Sequence, residues 1–193
     1  MTTNKIIPFT GIGSRDITWE EGVECRRIAQ LLTGYGMTCY SGGARGADEA
    51  FAEGSTNMIV NWLPWYKFNG VYLKPGQVIV PRTELTETAS WDIAEASIDL
   101  FHPNPSRLSP AARSMMFRNY FQVMGCPEKD LPKTEVIICC ASEVIRNGIK
   151  EADGGTGQAV RIAMVQKIPV YNIRTASWLS GKHDFLQKFI DKK

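Results

Sequence analysis

Three glycine-rich segments contain the residue types best suited to bind a phosphate group. They are the first glycine segment, residues 11–15 (Gly-Ile-Gly-Ser-Arg), the second, residues 41–48 (Ser-Gly-Gly-Ala-Arg-Gly-Ala-Asp), and the third, residues 154–158 (Gly-Gly-Thr-Gly-Gln). Glycine lets a backbone turn tightly and approach a ligand closely. A helix that follows offers unpaired N–H groups and a partial positive charge, which attract phosphate. Because each segment is predicted to follow a buried strand and open a helix, the sequence predicts a phosphate- or nucleotide-binding site.

The candidate ligand-binding residues are small, carry a hydroxyl, or can hydrogen bond to phosphate. In the first two segments they are Gly11, Gly13, Ser14, Arg15, Ser41, Gly42, Gly43, Ala44, Gly46 and Asp48. In the third segment they are Gly154, Gly155, Thr156, Gly157 and Gln158. A predicted helix adds Arg118 and Asn119, because a guanidinium can hold a phosphate through two parallel hydrogen bonds.

Several of these residues also have a purely structural interpretation. The glycines can serve only the close packing of strands against helices, and Arg118 can pair with a carboxylate at the surface. Asp48 can cap its own helix instead of contacting a ribose. The presence of three such segments in one chain favours ligand binding for the glycines, and the alternatives for Asp48 stay open.

An aromatic-rich segment at about 62–81 is predicted to be an insertion in the domain. It carries Trp65 and Tyr66 among lysines, asparagines and glycines, with no helical period. These two rings are candidates for stacking on a base, and the neighbouring Lys67 and Lys74 suit a single-stranded nucleic acid. The same segment can instead fill a gap in the core or form a subunit contact.

The elements that position these residues alternate along the chain. Apolar runs predict strands at 5–10, 37–40, 58–63, 135–140 and 168–173. Helices are predicted after a capping box at Thr18, and at 47–53, 88–100, 110–125, 158–166 and 184–190. This alternation predicts an α/β fold, a single Rossmann-like domain over residues 1–193 whose doubly wound, mostly parallel sheet has helices on both faces. The first strand and the strand ending at Cys140 are then neighbours, and the three glycine segments converge at the carboxyl edge of the sheet.

Composition and motifs exclude several classes of function. The formal net charge of +2 is not the strongly basic footprint of a duplex-DNA-binding protein. There is no long apolar run and no signal-peptide pattern, so we expect a cytosolic protein with no membrane partner. Only His102 and His183 are available as imidazole ligands, which argues against a metal site, and the five cysteines are expected to be reduced core residues.

The glycine segments also differ from two common nucleotide-binding motifs. Asp16 stands where a dinucleotide fingerprint has its third glycine, and residues 41–43 replace the acidic residue that would bind a ribose. The second segment lacks the Gly-Lys-Ser/Thr ending of a P-loop. A conventional dehydrogenase and a P-loop hydrolase are therefore not expected.

The chain resembles the SLOG superfamily of Rossmann-like proteins in its first two glycine segments. It is most similar to the proteins like DNA-processing protein A (DprA) that are common in bacteriophage genomes. In those proteins a Leu-Pro-Trp segment (here 63–65), a His-Pro pair (102–103), an Arg-Asn pair (118–119) and a late Gly-Gly-Thr-Gly-Gln recur. The resemblance covers residues 8 to 173. It implies nucleotide binding, a homo-oligomer, and a place in the host cytoplasm if the protein is phage-encoded.

A single position separates this chain from the related Lonely Guy phosphoribohydrolases. Their catalytic glutamate aligns with Ala159, so we expect no catalytic residue of that kind and no required cofactor. The resemblance implies that the chain senses or sequesters a nucleotide-derived ligand, such as an ADP-ribose-type signal in anti-defence. The alternative is a DprA-like recombination mediator that binds single-stranded DNA. A weaker alternative is a nucleoside monophosphate phosphoribohydrolase.

Overall fold

The computed structural model describes residues 6–55, 58–72, 74–146, 148–175 and 178. The strands among them are β1 (Pro8–Gly13), β2 (Thr38–Ser41), β3 (Ile59–Leu63), β4 (Gln77–Pro81), β5 (Val136–Cys140), β6 (Glu143–Arg146), β7 (Ile149–Ala152) and β8 (Val170–Asn172). The α-helices are α1 (Trp19–Gly34), α2 (Ala47–Gly54), α3 (Ser90–Phe101), α4 (Pro110–Met124) and α5 (Gly154–Val165).

Six strands form one parallel sheet in the order β4-β3-β2-β1-β5-β8, and β6 and β7 form a separate antiparallel hairpin. The strand order reverses between β1 and β5, which pair with Gly13 opposite Cys140. The predicted Rossmann-like sheet and the predicted neighbours at its centre are therefore confirmed. Ligands of such sheets bind outside the carboxyl ends of the strands, where the order reverses.

Different helices cover the two faces of the sheet. Phe9, Cys39 and Ile59 belong to a core shared with α1 and α2. On the other face, Tyr40 and Trp62 belong to a core shared with α3, α4 and α5. Successive side chains of a strand point to opposite faces, so the central strands must be apolar throughout, and this explains their continuous hydrophobic runs.

Capping residues fix where two of the helices begin. The Thr18 hydroxyl accepts a hydrogen bond from the Glu21 N–H at 3.2 Å, while a Glu21 carboxylate oxygen accepts one from the Thr18 N–H at 2.8 Å. The Ser109 hydroxyl accepts from the Ala112 N–H at 3.2 Å, and Pro110 occupies the first helical position. The capping box of α1 and the predicted start of α4 at residue 110 are thus confirmed.

The structure differs from the sequence-based expectation at three places. The aromatic-rich segment at 62–81 belongs to the sheet at both ends, because residues 62–63 complete β3 and residues 77–81 form the edge strand β4. The β6–β7 hairpin occupies the region between β5 and the third glycine segment. Helix α5 begins at Gly154, four residues earlier than predicted. The helix predicted at 184–190 lies outside the described residues.

The described residues can be examined for disulfides, metal-ion sites and membrane-spanning helices. All five cysteines lie within the described ranges, where they are buried and form no disulfide. In the same ranges, no three His, Cys, Asp or Glu side chains are grouped so that they would hold a metal ion. None of the helices in the described part of the chain has the length and apolar character that crossing a bilayer requires.

Candidate functional site

A small cavity at the carboxyl edge of the sheet brings the three glycine segments together with α4. It is lined by Ile12, Gly13, Arg15, Ala44, Asp48, Met115, Met116, Arg118, Asn119, Gly155 and Thr156. Its volume is about 100 Å³, well below the roughly 300–1,000 Å³ of pockets that enclose a small-molecule ligand. We call it the phosphate-sized cavity, because it has room for one such group and not for a nucleotide.

A buried ion pair forms the floor of this cavity. One Arg118 Nη1–H group lies 3.0 Å from Asp48 Oδ2 and also donates to Gln122 Oε1 at 2.6 Å. The other Asp48 oxygen, Oδ1, accepts from the Gly13 N–H at 3.1 Å, and the Ala44 N–H lies 3.4 Å from Oδ2. Asp48 therefore ties the end of β1, the second glycine segment and α4 to one another. Its side chain does not cap α2. The carboxylate that pairs with Arg118 is buried, whereas the structural alternative for Arg118 was a pair at the surface.

The absence of a side chain at Gly42 makes this ion pair possible. A Cβ built there would lie 0.9 Å from Arg118 Nη1 and 2.8 Å from Asp48 Oδ2. The guanidinium thus fills the space that any other residue at position 42 would occupy. The absence of a side chain at Gly42 is therefore needed for Arg118 to lie there.

Most of the other predicted glycines also make room for atoms of the protein itself. At Gly11, Gly13, Gly46 and Gly157 a Cβ would lie between 2.2 and 2.5 Å from another atom of the chain. At Gly13 that atom is the carbonyl oxygen of Cys140 on the neighbouring strand. These glycines therefore allow close packing within the protein, as in their structural interpretation.

The third glycine segment forms the N-terminal turn of α5 and faces the cavity. Gly154 has a φ of 61°, and a Cβ there would meet no atom within 4 Å. The Asp153 side chain does not cap the helix, so the first N–H groups remain available as donors to an anion. Asn119 Nδ2 donates to the Gly155 carbonyl at 3.0 Å, which fixes this turn against α4. Gly155 and Thr156 line the cavity.

Several buried polar atoms around the ion pair have no partner among the described residues. Two of them, Arg118 Nε and Asn119 Oδ1, belong to residues that line the cavity. The amide nitrogens of Gln122 and Gln158 are the others nearby. An unsatisfied buried polar group costs about 1–3 kcal/mol, so such groups usually bind ordered water or a ligand.

Arg15 is the cation at the mouth of the cavity. Its side chain is exposed, lines the cavity and forms no salt bridge with the described residues. Arg15 Nη2 makes a weak contact with the Met115 sulfur at 3.6 Å. By contrast, the hydroxyls of Ser14 and Ser41 are engaged, since each donates to a backbone carbonyl at 3.0 Å. Arg15 is thus the predicted residue that is best placed to meet a phosphate.

An ion pair outside the cavity supports the first glycine segment. Arg174 Nε donates to Glu21 Oε1 at 2.7 Å, and Arg174 Nη2 donates to the Asp16 carbonyl at 2.7 Å. The hydrogen bond from Arg174 holds the pKa of Glu21 below its ordinary value. The loop after β8 thereby anchors the turn that carries Arg15.

A second, larger cavity lies on the other side of the second glycine segment. Its volume is about 690 Å³, and it is bounded by residues 43–45, α2, β3 and the loop before β4. Ala44 lines both cavities. Asn61 and Tyr72 also line this cavity, although sequence reasoning selected neither. The one available signal was a lone amide within the apolar run Ile-Val-Asn-Trp-Leu of β3.

The predicted base-stacking residues do not line either of these cavities. Trp65 is 41% exposed, and its ring meets Phe68 edge-on with 4.9 Å between centroids. Tyr66 is 65% exposed, with Lys67 Nζ 5.4 Å from its ring centroid. Both rings lie exposed at the surface of the loop, apart from the site that the glycine segments form.

A third cavity lies away from the glycine segments. It has a volume of about 770 Å³ between α5, β8 and the β6–β7 hairpin, and His102 is among its lining residues. Burial lowers the pKa of His102, so the neutral imidazole is favoured at neutral pH. None of the predicted ligand-binding residues lines this cavity.

Comparison with known proteins supports the fold. No protein-family model matches the sequence, and no curated protein is significantly similar to it in sequence. A solved structure of DNA processing protein A from Helicobacter pylori, described for its unique single-stranded DNA binding mode, matches with a TM-score of 0.61 at 15% sequence identity. The match covers 98% of this chain and 82% of that one. At this identity the similarity shows a shared DprA-like Rossmann fold.

Proposed function

We propose that this protein binds single-stranded DNA, with one backbone phosphate seated in the phosphate-sized cavity. The observation that carries the proposal is the size and position of that cavity. At about 100 Å³ it accepts a phosphate but cannot enclose a nucleotide, and it opens beside Arg15 and the uncapped start of α5. A strand can run across such an opening, because only its backbone needs to enter.

Two further observations support a strand as the ligand. The fold is similar to that of the Helicobacter pylori protein described as binding single-stranded DNA. In addition, Arg45 and Lys74 line the adjoining larger cavity together with Glu49 and Glu53, so two positive side chains are present beyond the first phosphate. A groove with cations along the backbone path is typical of proteins that bind single strands without sequence preference.

A second candidate is a free nucleotide or nucleotide-derived ligand, such as an ADP-ribose-type signal. The observation in its favour is that Ala44 separates a phosphate-sized cavity from one of about 690 Å³, within the size range of small-ligand pockets. Both candidates are binding functions. Asp48, a carboxylate that lines the phosphate-sized cavity, has both of its oxygens engaged in hydrogen bonds within the protein. A homo-oligomer is expected under either proposal.

Competition binding distinguishes the two candidates. A fluorescent oligothymidylate of about 20 nucleotides is bound to the protein, and unlabelled strand, AMP or ADP-ribose is added at increasing concentration. The proposal predicts that unlabelled strand displaces the probe at micromolar concentration, whereas the mononucleotides do not do so below millimolar concentration. Absence of binding by the probe at low salt would refute the strand proposal, and tight binding of AMP or ADP-ribose alone would establish the second candidate.

A further inference from the structure

The larger cavity beside the second glycine segment contains an unusual polar group. Asn61 lies in the middle of β3, a strand whose five residues are all buried, and its own exposure is 3%. It pairs in register with Ser41 and Ile79 on the neighbouring strands. Its side chain lines the cavity of about 690 Å³. The otherwise apolar strand β3 therefore presents one amide to this cavity.

The Asn61 amide oxygen has no hydrogen-bond partner among the described residues. Leaving a buried acceptor unsatisfied costs about 1–3 kcal/mol, and an apolar side chain would avoid that cost. Because Asn61 lines the cavity, an N–H group of a ligand there can supply the hydrogen bond that the amide oxygen lacks. An amide also has a donor beside its acceptor, and this pair matches the donor–acceptor edge of a nucleobase.

The remaining walls suit a flat heteroaromatic ring that is attached to a phosphate. Tyr72 lines the cavity and is 59% exposed, so its ring face is accessible for stacking. Lys67 Nζ lies 5.9 Å from the Tyr72 ring centroid. Ala44 lines both this cavity and the phosphate-sized cavity. A base entering here would leave its phosphate on the side of Arg15.

We infer that this cavity binds a nucleobase, with Asn61 accepting a hydrogen bond from the base edge and Tyr72 stacking on its face. The inference rests on the proposed function and extends it, because it makes binding depend on a base as well as on phosphates. It also moves the contact with the base from Trp65 and Tyr66 to Asn61 and Tyr72. The base belongs either to a bound strand or to a free nucleotide, and both sources offer the same chemistry.

The test compares a base-bearing strand with an abasic strand of the same length, on the wild-type protein and on Asn61→Leu. Leucine has nearly the shape of asparagine and removes the unsatisfied oxygen. We expect the variant to melt at a temperature equal to or above that of the wild type. We expect it to bind the base-bearing strand about tenfold more weakly, the loss of one buried hydrogen bond, and the abasic strand unchanged. Loss of stability cannot imitate this combination.

The exposed Tyr72 provides a variant that keeps the test valid even if Asn61→Leu does not fold. Tyr72→Ala is expected to weaken binding of the base-bearing strand by about tenfold, the loss of one stacking contact, and to leave the abasic strand unaffected. Tyr66→Ala is the matched control, because Tyr66 is similarly exposed but does not line the cavity. It should bind both strands like the wild type.

The outcomes separate this inference from the proposed function. If both strands bind equally well and neither variant changes that, the base pocket is refuted while strand binding stands. If no strand binds but AMP or another mononucleotide does, and Asn61→Leu weakens it, the base pocket is supported and the strand proposal is refuted. If neither strands nor mononucleotides bind, both are refuted.

Discussion

The guanidinium of Arg118 occupies the space above Gly42, where a Cβ would lie 0.9 Å from Nη1. This relationship joins the second glycine segment to α4 across 76 residues of sequence. It also places the guanidinium beside the buried carboxylate of Asp48. The glycines of the site hold an ion pair in place, and that ion pair forms the floor of the phosphate-sized cavity.

Replacing Gly42 by alanine should therefore disrupt the Asp48–Arg118 pair. The methyl group would displace the guanidinium and leave a buried carboxylate without its partner, which should lower the free energy of unfolding by about 3–5 kcal/mol. Urea denaturation measures the change. Gly34→Ala is the matched control, because a Cβ at Gly34 in α1 meets nothing within 4 Å, and it should stabilise the protein slightly or leave it unchanged. Equal effects of the two variants would contradict this account.

Removing the charge of Asp48 is expected to lower stability as much as replacing Gly42 does. Asp48→Asn keeps the shape but leaves the guanidinium of Arg118, which is 6% exposed, without a counter-charge. We expect a loss of about 3–5 kcal/mol in the free energy of unfolding. Glu53→Gln breaks the exposed pair with Arg26 and should change stability by less than about 1 kcal/mol. If Asp48→Asn were as mild as Glu53→Gln, the buried pair would not hold the site together.

Stability at acid pH should depend on Glu21. Arg174 lowers the pKa of Glu21 from its ordinary value of 4.5 in the folded protein. A carboxyl group whose pKa is lowered on folding stabilises the protein above its unfolded-state pKa, and this contribution is lost as the pH falls through the lowered value. Glu21→Gln should therefore be less stable than the wild type at pH 7, and the difference should shrink as the pH falls below 4.5. Denaturation curves at pH 7 and pH 3 that are separated by the same amount would disprove the role of this pair.

The five thiols should be unreactive in the folded protein. Burial raises the pKa of Cys39 and Cys139 to about 12 and that of Cys126 to about 11. The Cys25 thiol and its neighbour Arg174 lower the pKa of Cys140, but this side chain is fully buried. Ellman's reagent at pH 8 should label no thiol in the native state and five after denaturation. Rapid labelling of any cysteine in the native protein would show that the core is open.

Much of the fold could be predicted from the sequence, because the central strands and the helix starts carry strong local signals. The apolar run ending at Cys140 and the capping box at Thr18 are examples. The edge strand β4 and the β6–β7 hairpin were not predicted. The hairpin has charged residues at four of its eight strand positions, so it lacks an apolar run, and β4 follows an aromatic loop that hides its pattern. The start of α5 was placed too late, because glycine is a poor helix former.

The location of the candidate site could be predicted from the sequence, but the roles of its residues could be predicted less well. Convergence of the glycine segments follows from strand order, which local patterns indicate. The ion pair between Arg118 and Asp48 could not be predicted in this way, because Asp48 lies 70 residues away and no local pattern relates the two residues. Asn61 was missed for a similar reason, because an amide in a buried strand acquires meaning only once the cavity beside it is known. The homo-oligomer and the nucleotide-derived ligand stay predictions.

The most direct test of the central claim is the affinity for single-stranded DNA when one cation at the cavity mouth is removed. Arg15→Gln is compared with Lys167→Gln, an exposed cation that follows the opposite end of α5. Both variants change the net charge equally. We predict that Arg15→Gln lowers the affinity about tenfold and reduces the slope of log affinity against log salt by about 0.7, whereas Lys167→Gln changes neither. Equal effects of the two variants, or none, would contradict the claim that a backbone phosphate binds in this cavity.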